Sequence, residues 1–381
     1  MIVAGESSGE LYGSLLAKAL KGMWPDVRVA GIGGERMRDA GVEMLAGISS
    51  SFGVTETLLS LKRLRESFDI ASRALSGLAP EVVVLIDYPD FNFRIARIAR
   101  RRGLKVLYYV SPQVWAWRKG RVKTMGEIAD KVAVILPFEE EIYTRTGIPC
   151  EFVGHPVMEE IEEYENRIQN SESRIQNPEY KNQTGSNPVI ALLPGSRPHE
   201  LKTLLPVFVD FVRMSKDALP GSQFIVPLAP NIEAEKISGL ISLLRGMGVE
   251  FVKGRTIESL AASDLAVVAS GTATLQAALL RVPTVVVYKV SPVTYIAGKT
   301  ILDVKYISLV NIIPGRQVVR EFIQSEANAV NIMQEVRKIL YDVSYRSAMI
   351  SSFEEIRKMF SGKRPSRRVA ELVGGMAGWR S

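Results

Sequence analysis

The chain has 381 residues, 46% of them apolar, which is too long for one core and enough for two domains that each bury their own interior. Its 48 Lys+Arg against 41 Asp+Glu leave +7, a balance that suits an anionic substrate, a membrane surface, nucleic acid or simply a basic soluble surface. One cysteine, Cys150, and two histidines, His155 and His199, exclude a disulfide framework, a Cys/His zinc site and a multi-histidine metal centre. A reduced, intracellular setting is expected. The opening Met1-Ile2-Val3-Ala4-Gly5 has no basic leader with a long apolar run, and no stretch reaches the roughly 18 apolar residues of a membrane span, so neither secretion nor spanning is expected.

Short apolar runs predict strands at Ile2–Ala4, Val27–Ile32, Val82–Ile86, Val106–Val110 and Val132–Leu136, alternating with amphipathic helices such as Leu11–Met23 and Phe91–Arg102. The rhythm restarts at Ile190 and continues through Phe224–Leu228, Glu250–Lys253, Leu265–Ser270 and Thr284–Lys289. This alternation predicts two doubly wound α/β domains with parallel sheets, over 1–158 and 189–343. Residues 159–188 are rich in Glu, Asn, Gln and Ser and repeat Arg-Ile-Gln-Asn at 167–170 and 174–177; they are expected to form a polar, mobile linker. Residues 344–381 carry helical apolar spacing and are expected to pack back on the body.

Several strand ends carry chemistry. Gly5-Glu6-Ser7-Ser8-Gly9-Glu10 opens a helix but lacks G-x-G-x-x-G, so it suits sugar hydroxyls, or plain helix capping, better than a pyrophosphate. In 52–65, Leu58, Leu61 and Leu64 share a helical face beside Lys62, Arg63 and Arg65; such a helix either faces a core or lies on an anionic bilayer. The strand ending at Ile86 delivers Asp87, a candidate general base at the edge where open α/β sheets bind ligands; capping by Asp87 or Asp90 of the helix near Phe91 is the competing role. Trp115 and Trp117 alternate ahead of Arg118 and Lys119, a pattern for a sugar face or an acyl chain beside an anion, or for stacked bases. Pro194-Gly195-Ser196-Arg197 and Ser270-Gly271-Thr272-Ala273 each join a buried strand to a helix, and together predict a nucleotide diphosphate site.

Taken in order, Gly5-Glu6-Ser7-Ser8-Gly9, Ile86-Asp87-Tyr88-Pro89-Asp90-Phe91-Asn92, Tyr109-Val110-Ser111-Pro112-Gln113-Val114-Trp115-Ala116-Trp117, Leu136-Pro137-Phe138-Glu139, Val153-Gly154-His155, Leu193-Pro194-Gly195-Ser196-Arg197 and Ala269-Ser270-Gly271-Thr272-Ala273-Thr274-Leu275 resemble lipid-A-disaccharide synthases over nearly the whole chain. The resemblance implies a glycosyltransferase-B fold, with two Rossmann-like domains facing across a cleft. It also implies inverting, metal-independent transfer from UDP-2,3-diacylglucosamine to 2,3-diacylglucosamine 1-phosphate, giving the β-1,6 disaccharide of lipid A and UDP. No cofactor and no nucleic acid are expected. An anionic inner-membrane surface, met peripherally from the cytoplasm through Val54, Leu58, Leu61, Lys62, Arg63, Leu64 and Arg65, and a homodimer are the implied partners.

By the same resemblance, Asp87 is the catalytic base. Glu6, Ser8, Gly9, Asn92, Trp115, Trp117 and Arg118 would bind substrate, with Gly195, Ser196, Arg197, Glu200, Gly271, Thr272, Ala273, Gln276 and Asn311 on the donor side. The chain departs from the family where Gln276 replaces a usual Glu that accepts from ribose hydroxyls, where Glu10 replaces Asp, and where 159–188 lacks a short helical pattern. The rivals are another UDP-sugar enzyme of this fold, such as a UDP-N-acetylglucosamine epimerase or a peptidoglycan-type transferase, and a non-catalytic protein binding membrane surfaces or nucleic acid.

Overall fold

The computed structural model describes residues 1–5, 7–47, 58–115, 120–170, 187–229, 232, 237–290 and 305–379. The chain divides into two compact units, 1–156 with 362–381, and 157–361. Both differ from the expected boundaries, because each unit borrows or yields a helix at the chain's two crossing points.

The first unit runs β1 (Ile2–Ala4), α1 (Ser7–Met23), β2 (Ala30–Gly33), α2 (Glu35–Asp39), β3 (Glu43–Gly47), α3 (Leu58–Gly77), β4 (Val82–Ile86), α4 (Pro89–Arg101), β5 (Lys105–Tyr109), α5 (Arg121–Ile128), β6 (Lys131–Val134), α6 (Glu139–Thr144) and β7 (Cys150–Phe152). Its strands form one parallel sheet in the order β3-β2-β1-β4-β5-β6-β7. Val82–Ile86 is buried at every position, as a central strand covered by helices on both faces must be. Beneath it, Val83, Leu85, Ile95, Ala96, Val106, Tyr108 and Val132 make a continuous core.

The second unit runs α7 (Val157–Asn170), β8 (Val189–Leu193), α8 (Pro198–Ala218), β9 (Gln223–Leu228), α9 (Ser238–Gly246), β10 (Val249–Lys253), α10 (Thr256–Ala261), β11 (Leu265–Ala269), α11 (Thr272–Leu279), β12 (Thr284–Tyr288), α12 (Leu309–Ile312), β13 (Glu321–Ile323), α13 (Ala329–Tyr341) and α14 (Val343–Phe360). Its parallel sheet is ordered β10-β9-β8-β11-β12-β13. A final helix, α15 (Pro365–Ala377), belongs to the first unit and packs on α1.

Two expectations are corrected here. The supposed linker 159–188 begins as helix: α7 buries Val157, Met158, Ile161 and Tyr164 against α10 and α11, and Glu165 pairs with Arg357 at 2.6 Å. Apolar residues recur every three or four positions, but the intervening Glu and Gln, half-buried or exposed, obscure them in the sequence. The C-terminal stretch 344–381 is not one packing helix; it splits between units, and Gly362, at φ +74°, stands at the break.

Candidate active site

In both sheets the strand order reverses next to the first strand, and such a switch point opens a crevice at the carboxyl ends of the strands. In the first unit it falls between β1 and β4, where Ala4 pairs with Ile86, so the Gly5 turn and the Asp87 turn leave the sheet side by side. In the second unit it falls between β8 and β11, where Leu193 pairs with Val268, so the Pro194–Arg197 and Ser270–Thr272 turns emerge together. Residues that lie about 80 positions apart in sequence are thereby brought to one edge within each domain.

The Asp87 turn is strained and firmly held. Asp87 and Tyr88 both adopt left-handed backbone, φ +47° and +49°, at a cost of roughly 1–3 kcal/mol each for residues that carry a Cβ. Asp87 N donates to Tyr109 O at 3.1 Å, while Asp87 O accepts from Asn92 Nδ2 and from the Tyr108 hydroxyl, both at 2.7 Å. These pins leave the Asp87 side chain partly exposed at the strand end. The residue at the N-cap position of α4 is Tyr88, not Asp87. Gly5 is required because a Cβ there would lie 2.2 Å from the Tyr88 ring. Tyr88 stacks on Phe91 at 5.5 Å, Phe91 meets Phe68 edge-on, and with Arg65 and Arg94 they line a cavity of about 510 Å³ between α3 and α4. Arg65, expected only at a membrane, thus lines this cavity together with Tyr88 and Asp90.

Asn92, expected to bind substrate, is fully buried, and its Nδ2 donates to Ile86 O and Asp87 O, which shapes the turn from below. Ser8 and Gly9 lie in the first turn of α1, with Gly9 close over Ala4 and Ile86. Glu10 accepts from Arg36 N at 2.8 Å and so holds the start of α2. Glu6, Val54, Trp117 and Arg118 lie outside the described residues, and Leu58, Leu61, Lys62, Arg63 and Leu64 are placed on α3 by their backbone alone.

Trp115 is half-buried; its indole N–H donates to Glu139 Oε1 at 3.1 Å, and its ring meets Phe138 edge-on at 5.3 Å. Glu139, for which the sequence suggested no role, is 1% exposed. Burial pushes its carboxyl up to about 8 against the hydrogen bonds it accepts, and the nearby Asp87 charge acts in the same upward direction. His155, edge-on to Tyr12, is pushed down to about 3 by burial, so it is neutral and fills the core.

On the donor side Glu200 organises the first turn. Its Oε2 accepts from Ser196 N at 3.0 Å and Arg197 N at 3.2 Å, and a Cβ on Gly195, whose φ is +100°, would lie 2.1 Å from that oxygen. The amides of Ser196 and Arg197, expected to meet a diphosphate, thus serve the turn itself. The Arg197 guanidinium lies 3.5 Å from Glu200 Oε1 and keeps 52% of its side chain exposed. In the second turn Gly271 precedes α11 at φ +152°, Thr274 closes back on Gly271 O through both its amide and its hydroxyl, and Ser270 Oγ ties to Ile307 O. Thr272 and Ala273 occupy the first turn of α11, where the helix concentrates partial positive charge; Gln276 sits half-buried one turn on.

Asn311, expected on the donor side, lies inside the fold. It is fully buried, with Oδ1 accepting from Val318 N and Val319 N, and Nδ2 donating to Val319 O and Glu321 Oε1. Glu321 in turn accepts from Ile307 N, Ser308 N and Ser308 Oγ. With these bonds Asn311 is a clamp for the loops around α12, and no signal in the sequence separated it from a ligand. Among the described residues no group of three or more His, Cys, Asp or Glu is placed to hold a metal ion, and no helix is long and apolar enough to cross a membrane.

Two parallel-sheet α/β domains of this topology define the glycosyltransferase-B fold class, shared with UDP-sugar epimerases. The fold is similar to that of UDP-GlcNAc 2-epimerase from Neisseria meningitidis bound to UDP-GlcNAc, at a TM-score of 0.64 and 11% identity over 98% of each chain. It is likewise similar to the calicheamicin glycosyltransferase CalG4, at 0.61 and 14% over 99% of this chain and 98% of that one.

The sequence narrows the class. Residues 1–370 match the lipid-A-disaccharide synthetase family. The chain is 39% identical to lipid-A-disaccharide synthase of Geobacter sulfurreducens over 99% of this chain and 97% of that protein, and 39% identical to that of Myxococcus xanthus over 98% and 96%. The chain belongs to the lipid-A-disaccharide synthase family, and is a glycosyltransferase of lipid A disaccharide synthesis.

Proposed function

We propose that the chain transfers 2,3-diacylglucosamine from UDP to the 6-hydroxyl of 2,3-diacylglucosamine 1-phosphate, with inversion and with Asp87 as general base. The observation that carries the reading is the Asp87 turn: a carboxylate on a strained, triply pinned strand end at the switch point of the first sheet. Asp87 takes the hydroxyl proton as the acceptor oxygen bonds to the anomeric carbon, and the bond from that carbon to the diphosphate breaks on the opposite face. The electron pair leaves with UDP. Negative charge grows on the diphosphate oxygens, so positive groups that meet it there lower the barrier. The Arg197 guanidinium and the start of α11 supply that potential, and the reading assigns no step to a metal or cofactor.

Purified protein given UDP-2,3-diacylglucosamine should release UDP only when the acylated acceptor phosphate is added. Turnover of unacylated UDP-N-acetylglucosamine in place of this acceptor-dependent release would move the protein to the epimerase side of the fold.

Arg197→Ala should weaken UDP binding about 10–100-fold, the worth of one charge-assisted hydrogen bond, with Tm unchanged because the exposed guanidinium contributes no core packing. Calorimetric titration with UDP checks this; equal affinity would remove Arg197 from the site. For the membrane side, Leu58→Asp with Leu61→Asp should reduce binding to phosphatidylglycerol vesicles several-fold, since two apolar side chains of α3 no longer enter the bilayer boundary. Lost folding cooperativity would place that face in a core instead.

A further inference from the structure

We propose that Glu139, paired with Tyr143, is a positioning residue that clamps the loop at 111–115 on the acceptor side of the first domain. The inference deepens the proposed function, on which it rests for the identity of the acceptor. Glu139 and Tyr143 lie four positions apart on α6 and so share one face of that helix. The two loop residues they hold, Ser111 and Trp115, are also four apart. Ser111 Oγ and the Tyr143 hydroxyl share a hydrogen bond, and Trp115 Nε1 donates to Glu139 Oε1 at 3.1 Å. Glu139 Oε2 accepts from Leu136 N at 3.2 Å, which fixes the carboxyl to the end of β6. Ser111, Glu139 and Tyr143 are 5%, 1% and 0% exposed.

This arrangement exceeds what packing requires. A buried carboxyl is costly to desolvate, and an apolar side chain would fill the same space more cheaply. What the carboxyl adds is direction: it fixes the rotation of the indole where the loop leaves β5, next to the strand that bears Asp87. Leu136-Pro137-Phe138-Glu139, a run without an assigned role, thereby acquires one.

The titratable groups around Glu139 are identifiable. Asp87 faces it from the end of β4, Tyr143 from its own helix and Cys150 from β7. Burial raises Tyr143 above the ordinary phenol range and pushes Cys150 up to about 12, and Glu140, also felt by Cys150, accepts from Phe152 N at 3.1 Å. Glu139 is therefore the group in this cluster expected to change charge near pH 8, neutral below and anionic above. Trp115 reports it directly.

Two readouts on the full chain test the clamp. Glu139→Gln keeps the side-chain shape but removes the ionisation and one acceptor, so the KM for the acylated acceptor phosphate should rise about tenfold, the worth of one hydrogen bond, with kcat and donor KM within a few-fold of the parent. Tyr143→Phe, which removes the α6 hydroxyl bonded to Ser111 and leaves Ser111 only its bond to Pro112 O, without touching the carboxyl, should move acceptor KM in the same direction. In the protein without substrate, indole emission should titrate with a midpoint near pH 8, and this transition should vanish in both Glu139→Gln and Trp115→Phe. An acceptor KM within twofold of the parent in Glu139→Gln, or a titration that persists in that variant, overturns the proposal. If the parent releases no UDP, the transferase reading fails separately, and the emission transition still decides the clamp.

Discussion

Asp87→Asn should lower acceptor-dependent UDP release by about 10²–10⁴-fold, the range for losing a positioned general base. The substitution is nearly isosteric, and the bonds that hold the turn run through the Asp87 backbone: its N–H to Tyr109 O, and its C=O to Asn92 and Tyr108. Tm and UDP affinity should therefore stay at the parent values, and the loss should appear in kcat more than in either KM, because proton removal matters only in the transition state. A steady-state comparison with both substrates saturating is the measurement. If kcat were unchanged, the base would be another group; Asp90, exposed in the first turn of α4, is the next carboxylate on that strand end.

Asn311→Ala should destabilise the protein by about 3 kcal/mol or more, since each buried donor left without an acceptor costs about 1–3 kcal/mol and the change strands Val318 N and Val319 N together. It also takes a donor from Glu321. Denaturant titration should show a lower midpoint with little change in slope, while UDP affinity per folded molecule stays within a few-fold. Lost UDP affinity at undiminished stability would restore Asn311 to the donor site. The outcome separates a residue shared with a family because it touches substrate from one shared because it holds a loop.

Much of this molecule is legible in the linear chain because the physics involved is local. Val82–Ile86 reads as a strand at its observed bounds, since a central parallel strand is apolar at every position and the turn residues after it stop the run. Glu43–Gly47, Cys150–Phe152 and Glu321–Ile323 escape notice because edge strands are short and partly exposed, which leaves no apolar run to recognise. The same locality stops short at the site. Asn92, Glu200 and Asn311 sit in the right motifs, yet their hydrogen bonds turn inward, and spacing along the chain carries no information about which way an amide or carboxylate points.

The sequence by itself determined the two parallel-sheet domains, the family, and the strand ends that carry Asp87, Arg197 and Gly271, because periodicity, turn chemistry and motif spacing are properties of neighbouring residues. Only the tertiary structure decided that the Gly5 and Asp87 turns share one edge, that 157–170 is a packed helix, that the last helix returns to the first unit, and that Glu139 grips Trp115. Those facts depend on which strands pair and on which polar groups must find partners once water is excluded, and both are settled by contacts between residues far apart in the chain.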